Sequence, residues 1–120
     1  MHIHPERTRP LPGSISIERQ GDVRVLCMRG EVDTAVAQRF KDEQGRRPVV
    51  VDAIDAAAVS FVSSTALAVL VRCAEASLAA GLRPVLRASS PALDRLLRVT
   101  GLQATIARPP STPGRAETPG

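Results

Sequence analysis

The sequence predicts an α/β domain: a mixed, mostly parallel β-sheet of about five strands with helices packed on it, in the order ββαβαβαβ. Three observations carry this. Ile15-Ser16-Ile17-Glu18 and Val23 to Met28 flank the turn residues Gln20-Gly21-Asp22, the pattern of a β-hairpin. Pro48-Val49-Val50-Val51 opens an unbroken apolar run, the habit of a strand buried on both faces. A long apolar-striped segment from Ser64 to Ala80 then reads as a helix, and strand and helix signals alternate after it.

The remaining elements follow from local signals. Asp33 is an N-cap for a first helix that buries Val36 and Phe40 at i, i+4, with Gly45 as its stop and Pro48 beyond. The long helix presents Leu67, Leu70, Val71, Ala74 and Leu78 on one face and ends at Gly81. Arg83 to Ala88 returns as a strand. Ser90-Pro91 supplies an N-cap followed by proline at the first helical position, Leu93, Leu96 and Leu97 form a buried stripe, and Gly101 ends that helix. Thr105-Ile106-Ala107 forms a last strand.

Residues 13–107 make one domain, between a proline- and charge-rich arm over 1–12 and a tail over 108–120 too rich in Pro, Gly and Ser/Thr to order itself. At 120 residues and 43% apolar content there is room for one core and no second domain. Phe40 and Phe61 are the only aromatics, so aliphatic side chains must fill that core. The formal net charge of +4 is scattered rather than gathered in a run, and stacking aromatics are missing, which argues against nucleic-acid binding. Cys27 and Cys73 have neither CxxC spacing nor a disulfide scaffold to serve and are expected as buried thiols. No leader pattern and no apolar run near the ~18 residues of a membrane span occurs, so the expected location is the cytoplasm, away from membranes.

The most informative stretch is Val59-Ser60-Phe61-Val62-Ser63-Ser64-Thr65-Ala66-Leu67, where a buried run ends at three consecutive hydroxyls that open the long helix. One hydroxyl suffices as an N-cap, worth ~1 kcal/mol. The same free N–H groups and helix dipole also suit an anion, so a phosphate attached here would change the surface charge by about −1.5 to −2 units without disturbing the fold. Capping and switching are both open at this level.

Four motifs in order resemble the STAS family of anti-sigma factor antagonists, over about Ile15 to Ile106. Gly30-Glu31-Val32-Asp33 is similar to the family's Gly-Glu-Leu-Asp after the second strand. Ser60 to Leu67 resembles its phosphorylation loop, Phe-hydrophobic-Asp-Ser-Ser/Thr-Gly-Leu. Ser89-Ser90-Pro91-Ala92-Leu93-Asp94-Arg95-Leu96-Leu97 and Thr100-Gly101-Leu102 resemble its Ser-Pro-x-hydrophobic-x-Arg-Leu and closing Gly-Leu. The resemblance implies that Ser64, with Ser63 and Thr65 as alternatives, is the phosphorylated residue. It implies a partner face of Glu31, Asp33, Ser63, Ser64, Thr65, Ala66, Ala68 and Arg72, with Val69 and Glu75 flanking it. The implied partners are an anti-sigma factor with ATP-dependent serine kinase activity, bound when Ser64 is unmodified, and a phosphatase that resets the switch. Ser63 replaces the family's aspartate, Ala66 its glycine, and the Pro-rich tail its final helix. Either Asp52 or Asp55 matches its strand-end acidic residue.

Other chemistry is weakly signalled. Glu31 and Asp33 lack a histidine partner in the folded part and read as loop and cap residues. His2 and His4 lack a third ligand, so no metal site is expected, and no cofactor. The absence of GxSxG and GxxxxGK[ST] patterns, with both histidines in the first four residues, argues against an enzyme. Two competing readings use the same helix start: an unphosphorylated STAS scaffold or transport-accessory subunit, and an anion- or nucleotide-binding module, which here would lack a glycine-rich approach loop.

Overall fold

The computed structural model describes residues 13–45, 47, 49–102 and 106. The hairpin forms as expected: β1 (Ser14–Gln20) pairs antiparallel with β2 (Val23–Val32). Then come α1 (Thr34–Gln44), β3 (Ala53–Val62), α2 (Ser64–Ala79), β4 (Val85–Ala88) and α3 (Pro91–Thr100). Strands β2, β3 and β4 run parallel, and the sheet order among the described residues is β1-β2-β3-β4. The mixed, mostly parallel sheet is as predicted, with four strands among the described residues against about five expected. The expected last strand, Thr105-Ile106-Ala107, falls outside the described residues apart from Ile106, which is buried against the core. The predicted arm and tail also lie outside them.

Alternation in the strands sorts side chains onto two faces. Ile15, Leu26, Met28, Ile54 and Leu86 point to one face, where Phe40 of α1, Leu70 of α2 and Leu93 and Leu97 of α3 meet them in a single core. Val25, Cys27 and Ala53 point to the other face as a smaller buried cluster. Polar side chains bridge over that face: Arg87 of β4 donates to Gln20 Oε1 of β1 (2.9 Å), and Arg29 pairs with Glu18 (3.3 Å). The exposed ion pair adds little energy.

Three local expectations are corrected. Strand β2 continues past Met28 to Val32, so Gly30-Glu31-Val32 lies on the strand, not after it. Gly30 makes this possible: its positive φ of 70° accommodates the register shift at which Glu31 steps to pair with Phe61. Strand β3 begins at Ala53, so Val49 to Val51 precede it; Pro48, the expected start, lies outside the described residues. The Val51 N–H is taken by Ser77 Oγ of α2 (2.9 Å), and the ladder starts only at Asp52, whose N–H donates to the Arg24 carbonyl and whose carbonyl accepts from Val85. Onward to Val62 the alanine-rich segment is held as strand by β2 alongside it, tertiary context outweighing weak propensity.

The third correction concerns the buried face of α2, which is Ala66, Leu67, Val69, Leu70, Cys73, Ala74 and Ser77. Helix α1 packs on α2 as well as the sheet does, which widens the covered arc to include Val69 and leaves Leu78 in the last turn 44% exposed. The capping signals were reliable: Asp33 and Ser90 cap α1 and α3, and Gly45 and Gly101 follow them at positive φ. Cys27 and Cys73 are free and buried on opposite faces of the sheet. Burial pushes the Cys73 thiol up to about 11. For Cys27 burial is the main cause of an upward shift, reinforced by Glu18.

Ser77 is fully buried and does two jobs, donating to the Cys73 carbonyl (2.7 Å) and accepting from Val51 N–H. Ser77→Ala should leave that buried amide unsatisfied and lower stability by about 1–3 kcal/mol. Urea unfolding monitored by circular dichroism measures this, and an unchanged midpoint would refute the role.

Candidate functional site

The C-terminal ends of β2 and β3 lie side by side, with Val32 opposite Val62, and each strand turns at once into a helix. The two helices therefore start next to each other at one end of the sheet. Each start is closed by its own cap. Val36 N–H donates to Asp33 Oδ1 (2.9 Å) at α1, and Ala66 N–H donates to Ser63 Oγ (3.1 Å) at α2. Ser63 N–H in turn donates to the Val32 carbonyl (2.9 Å), which ties the start of α2 to the end of β2. Across the gap, Thr34 Oγ1 and Thr65 Oγ1 are 3.4 Å apart and share a hydrogen bond.

The three consecutive hydroxyls thus have different environments. Ser63 is half-buried and committed to capping. Thr65 is half-buried and engaged with Thr34. Ser64, the first residue of α2, is exposed, and its hydroxyl has no hydrogen-bond partner among the described residues. Two helix N-termini, each with partial positive charge and free N–H groups, stand beside it, so an added phosphate would meet a favourable field. Arg72 lies two turns further along α2, about 12 Å by helical rise, too far to pair with a phosphate on Ser64.

The other expected partner-face residues divide as follows. Asp33, Ala68 and Arg72 are exposed, and Ser64, Ala68 and Arg72 follow at i, i+4 and i+8 on one side of α2. Glu31 is half-buried, opposite Phe61 in the β2–β3 ladder. Ala66 is fully buried, so its methyl group packs in the core and adds nothing to a contact surface, contrary to expectation. Val69 is likewise a core residue rather than a flank of the docking face.

Phe61 was missed. Expected inside, it is 48% exposed three residues before Ser64. The step in register opposite Gly30-Glu31 turns it outward, and nothing in the local pattern signals that step. Of the two candidate aspartates, Asp55 is the last β3 residue paired with β4, while Asp52 precedes the strand and accepts from Arg24 N–H (2.9 Å). No group of three or more His, Cys, Asp or Glu able to hold a metal occurs among the described residues, and His2 and His4 lie outside them.

A family model for the STAS domain matches residues 14–115, nearly the whole length. The chain belongs to the STAS domain family. A solved anti-sigma factor antagonist from Mycobacterium paratuberculosis is similar to it at 26% identity and a TM-score of 0.55, covering 84% of this chain and 88% of that one. Comparison with curated proteins gives no match. In this STAS domain no helix among the described residues is long and apolar enough to cross a membrane.

The division of labour among the hydroxyls can be tested by stability alone. Ser63→Ala should cost about 1 kcal/mol through loss of the cap, whereas Ser63→Asp, a good cap, should cost almost nothing. Ser64→Ala should stay within about 0.5 kcal/mol of the parent, as surface substitutions do. Chemical denaturation of the three variants decides it; equal losses at Ser63 and Ser64 would contradict the assignment.

Proposed function

We propose that this STAS domain is an anti-sigma factor antagonist. In this reading it docks, unphosphorylated, on an anti-sigma factor with ATP-dependent serine kinase activity, and docking releases the sigma factor. The kinase phosphorylates Ser64, the complex dissociates, and a phosphatase restores the free hydroxyl. The observation that supports this most is the exposed hydroxyl of Ser64, without a hydrogen-bond partner among the described residues, between two engaged neighbours. The similarity to a solved anti-sigma factor antagonist supports the choice of partner.

The physical logic is that of a charge switch. A phosphate at the first position of α2 suits the helix dipole and leaves the core untouched, because the N-cap and Thr65 are already satisfied. The same two negative charges must be desolvated when a partner covers the helix start. Half-exposed Phe61 supplies an aromatic anchor beside the switch, a residue type enriched at the cores of protein interfaces. Ser63 keeps the cap that the family's aspartate would provide but lacks its charge.

Ser64→Glu should fold normally and weaken kinase binding by about 2 kcal/mol, roughly 30-fold. Ser64→Ala should retain binding and lose phosphate incorporation, Phe61→Ala should weaken binding at unchanged stability, and Ser63→Asp should raise the phosphorylation rate. Calorimetric titration with the cognate kinase, and mass spectrometry after incubation with ATP, give these readings. Phosphate on Ser63 or Thr65 would move the switch by one residue. No phosphate on any of the three, with binding indifferent to Ser64→Glu, would leave a scaffold or transport-accessory role in its place.

A further inference from the structure

A groove of about 640 Å³ runs between α1 and α2, among residues nearer the end of α1 than the helix starts that carry Ser64. Its volume falls within the ~300–1,000 Å³ range of small-molecule sites. Phe40, Val49 and Val69 line it with apolar surface. Lys41, Arg47 and Arg72 border it, against one acid, Glu75, which leaves a surplus of positive charge. None of these three cationic side chains has a hydrogen bond or ion pair among the described residues. Asp42, next to Lys41 in the chain, does not line the groove and accepts a hydrogen bond from Gln38 Nε2 (3.1 Å).

Unpaired cations around an apolar floor call for an anion attached to an apolar body. Two of the three are arginines, whose planar forks match a phosphate oxygen pair, and a phosphate monoester carries about −1.5 to −2 charges, close to the local surplus. Ion pairs this exposed contribute little alone, so bare phosphate should be held weakly and the apolar body should decide affinity. We propose that this groove binds an amphiphilic phosphate monoester, an aliphatic chain ending in phosphate. A soluble alkyl phosphate and the headgroup region of phosphatidic acid share that chemistry. The site is separate from Ser64 and does not depend on the switch.

The full chain would be titrated with decyl phosphate below its micellar concentration, by calorimetry and by NMR of the Val49 and Val69 methyl groups. Saturable 1:1 binding at least tenfold tighter than inorganic phosphate, with shifts at both methyls, is expected. Lys41→Glu/Arg47→Glu, both outside the docking face, should lower that affinity at least tenfold with an unchanged thermal midpoint. Co-sedimentation with phosphatidylcholine vesicles containing phosphatidic acid separates the sources. Vesicle binding that the double variant abolishes makes the lipid the donor, and binding confined to decyl phosphate makes it a soluble molecule. Equal binding by parent and double variant, or inorganic phosphate matching decyl phosphate, would overturn the proposal.

Discussion

The parallel pairing of β2 with β3 is the constraint on which the rest of this STAS domain depends. It brings Val32 and Val62 level, so the two helices that follow must start side by side. Ser63 then locks the junction twice, through its N–H to the Val32 carbonyl and its Oγ to the Ala66 amide. A sheet that held these strands in another order would scatter Asp33, Thr34, Ser64 and Thr65 over its surface.

That junction also explains why three similar hydroxyls cannot share one role. A helix start has few free N–H groups within reach of a given side chain, and the residue in the extended conformation just before the helix is best placed to accept from them. Ser63 occupies that position. Thr65 turns toward α1 because α1 begins there, and Ser64 is left facing solvent. Exposure of Ser64 follows from satisfaction of its neighbours.

Helix α2 joins this end of the molecule to the groove beside α1. Its inner face is held by the core and by Ser77, which anchors the approach to β3 through Val51. Its outer face carries Ser64, Ala68 and Arg72 in line, and Arg72 reaches the groove. One rigid element thus presents both the region proposed for partner docking and the cationic border of a second site.

Much of this was legible in the sequence because it rests on local rules. Turn residues marked the hairpin, Asp33, Ser90, Gly45 and Gly101 marked helix ends, and the hydroxyl run marked the start of α2. The alternation of strands and helices carried the mostly parallel sheet, and the four motifs carried the STAS family. The start of β3, the outward turn of Phe61, the burial of Ala66 and Val69, the Thr34–Thr65 contact and the groove were decided by tertiary structure alone. Each depends on what a distant segment does: Ser77 claims the Val51 amide, Gly30 allows the step in the ladder, and α1 covers a flank of α2. Hydrophobic periodicity reports that a face is buried, but not which neighbour buries it or where a ladder changes register, because those are set by residues far away in the chain.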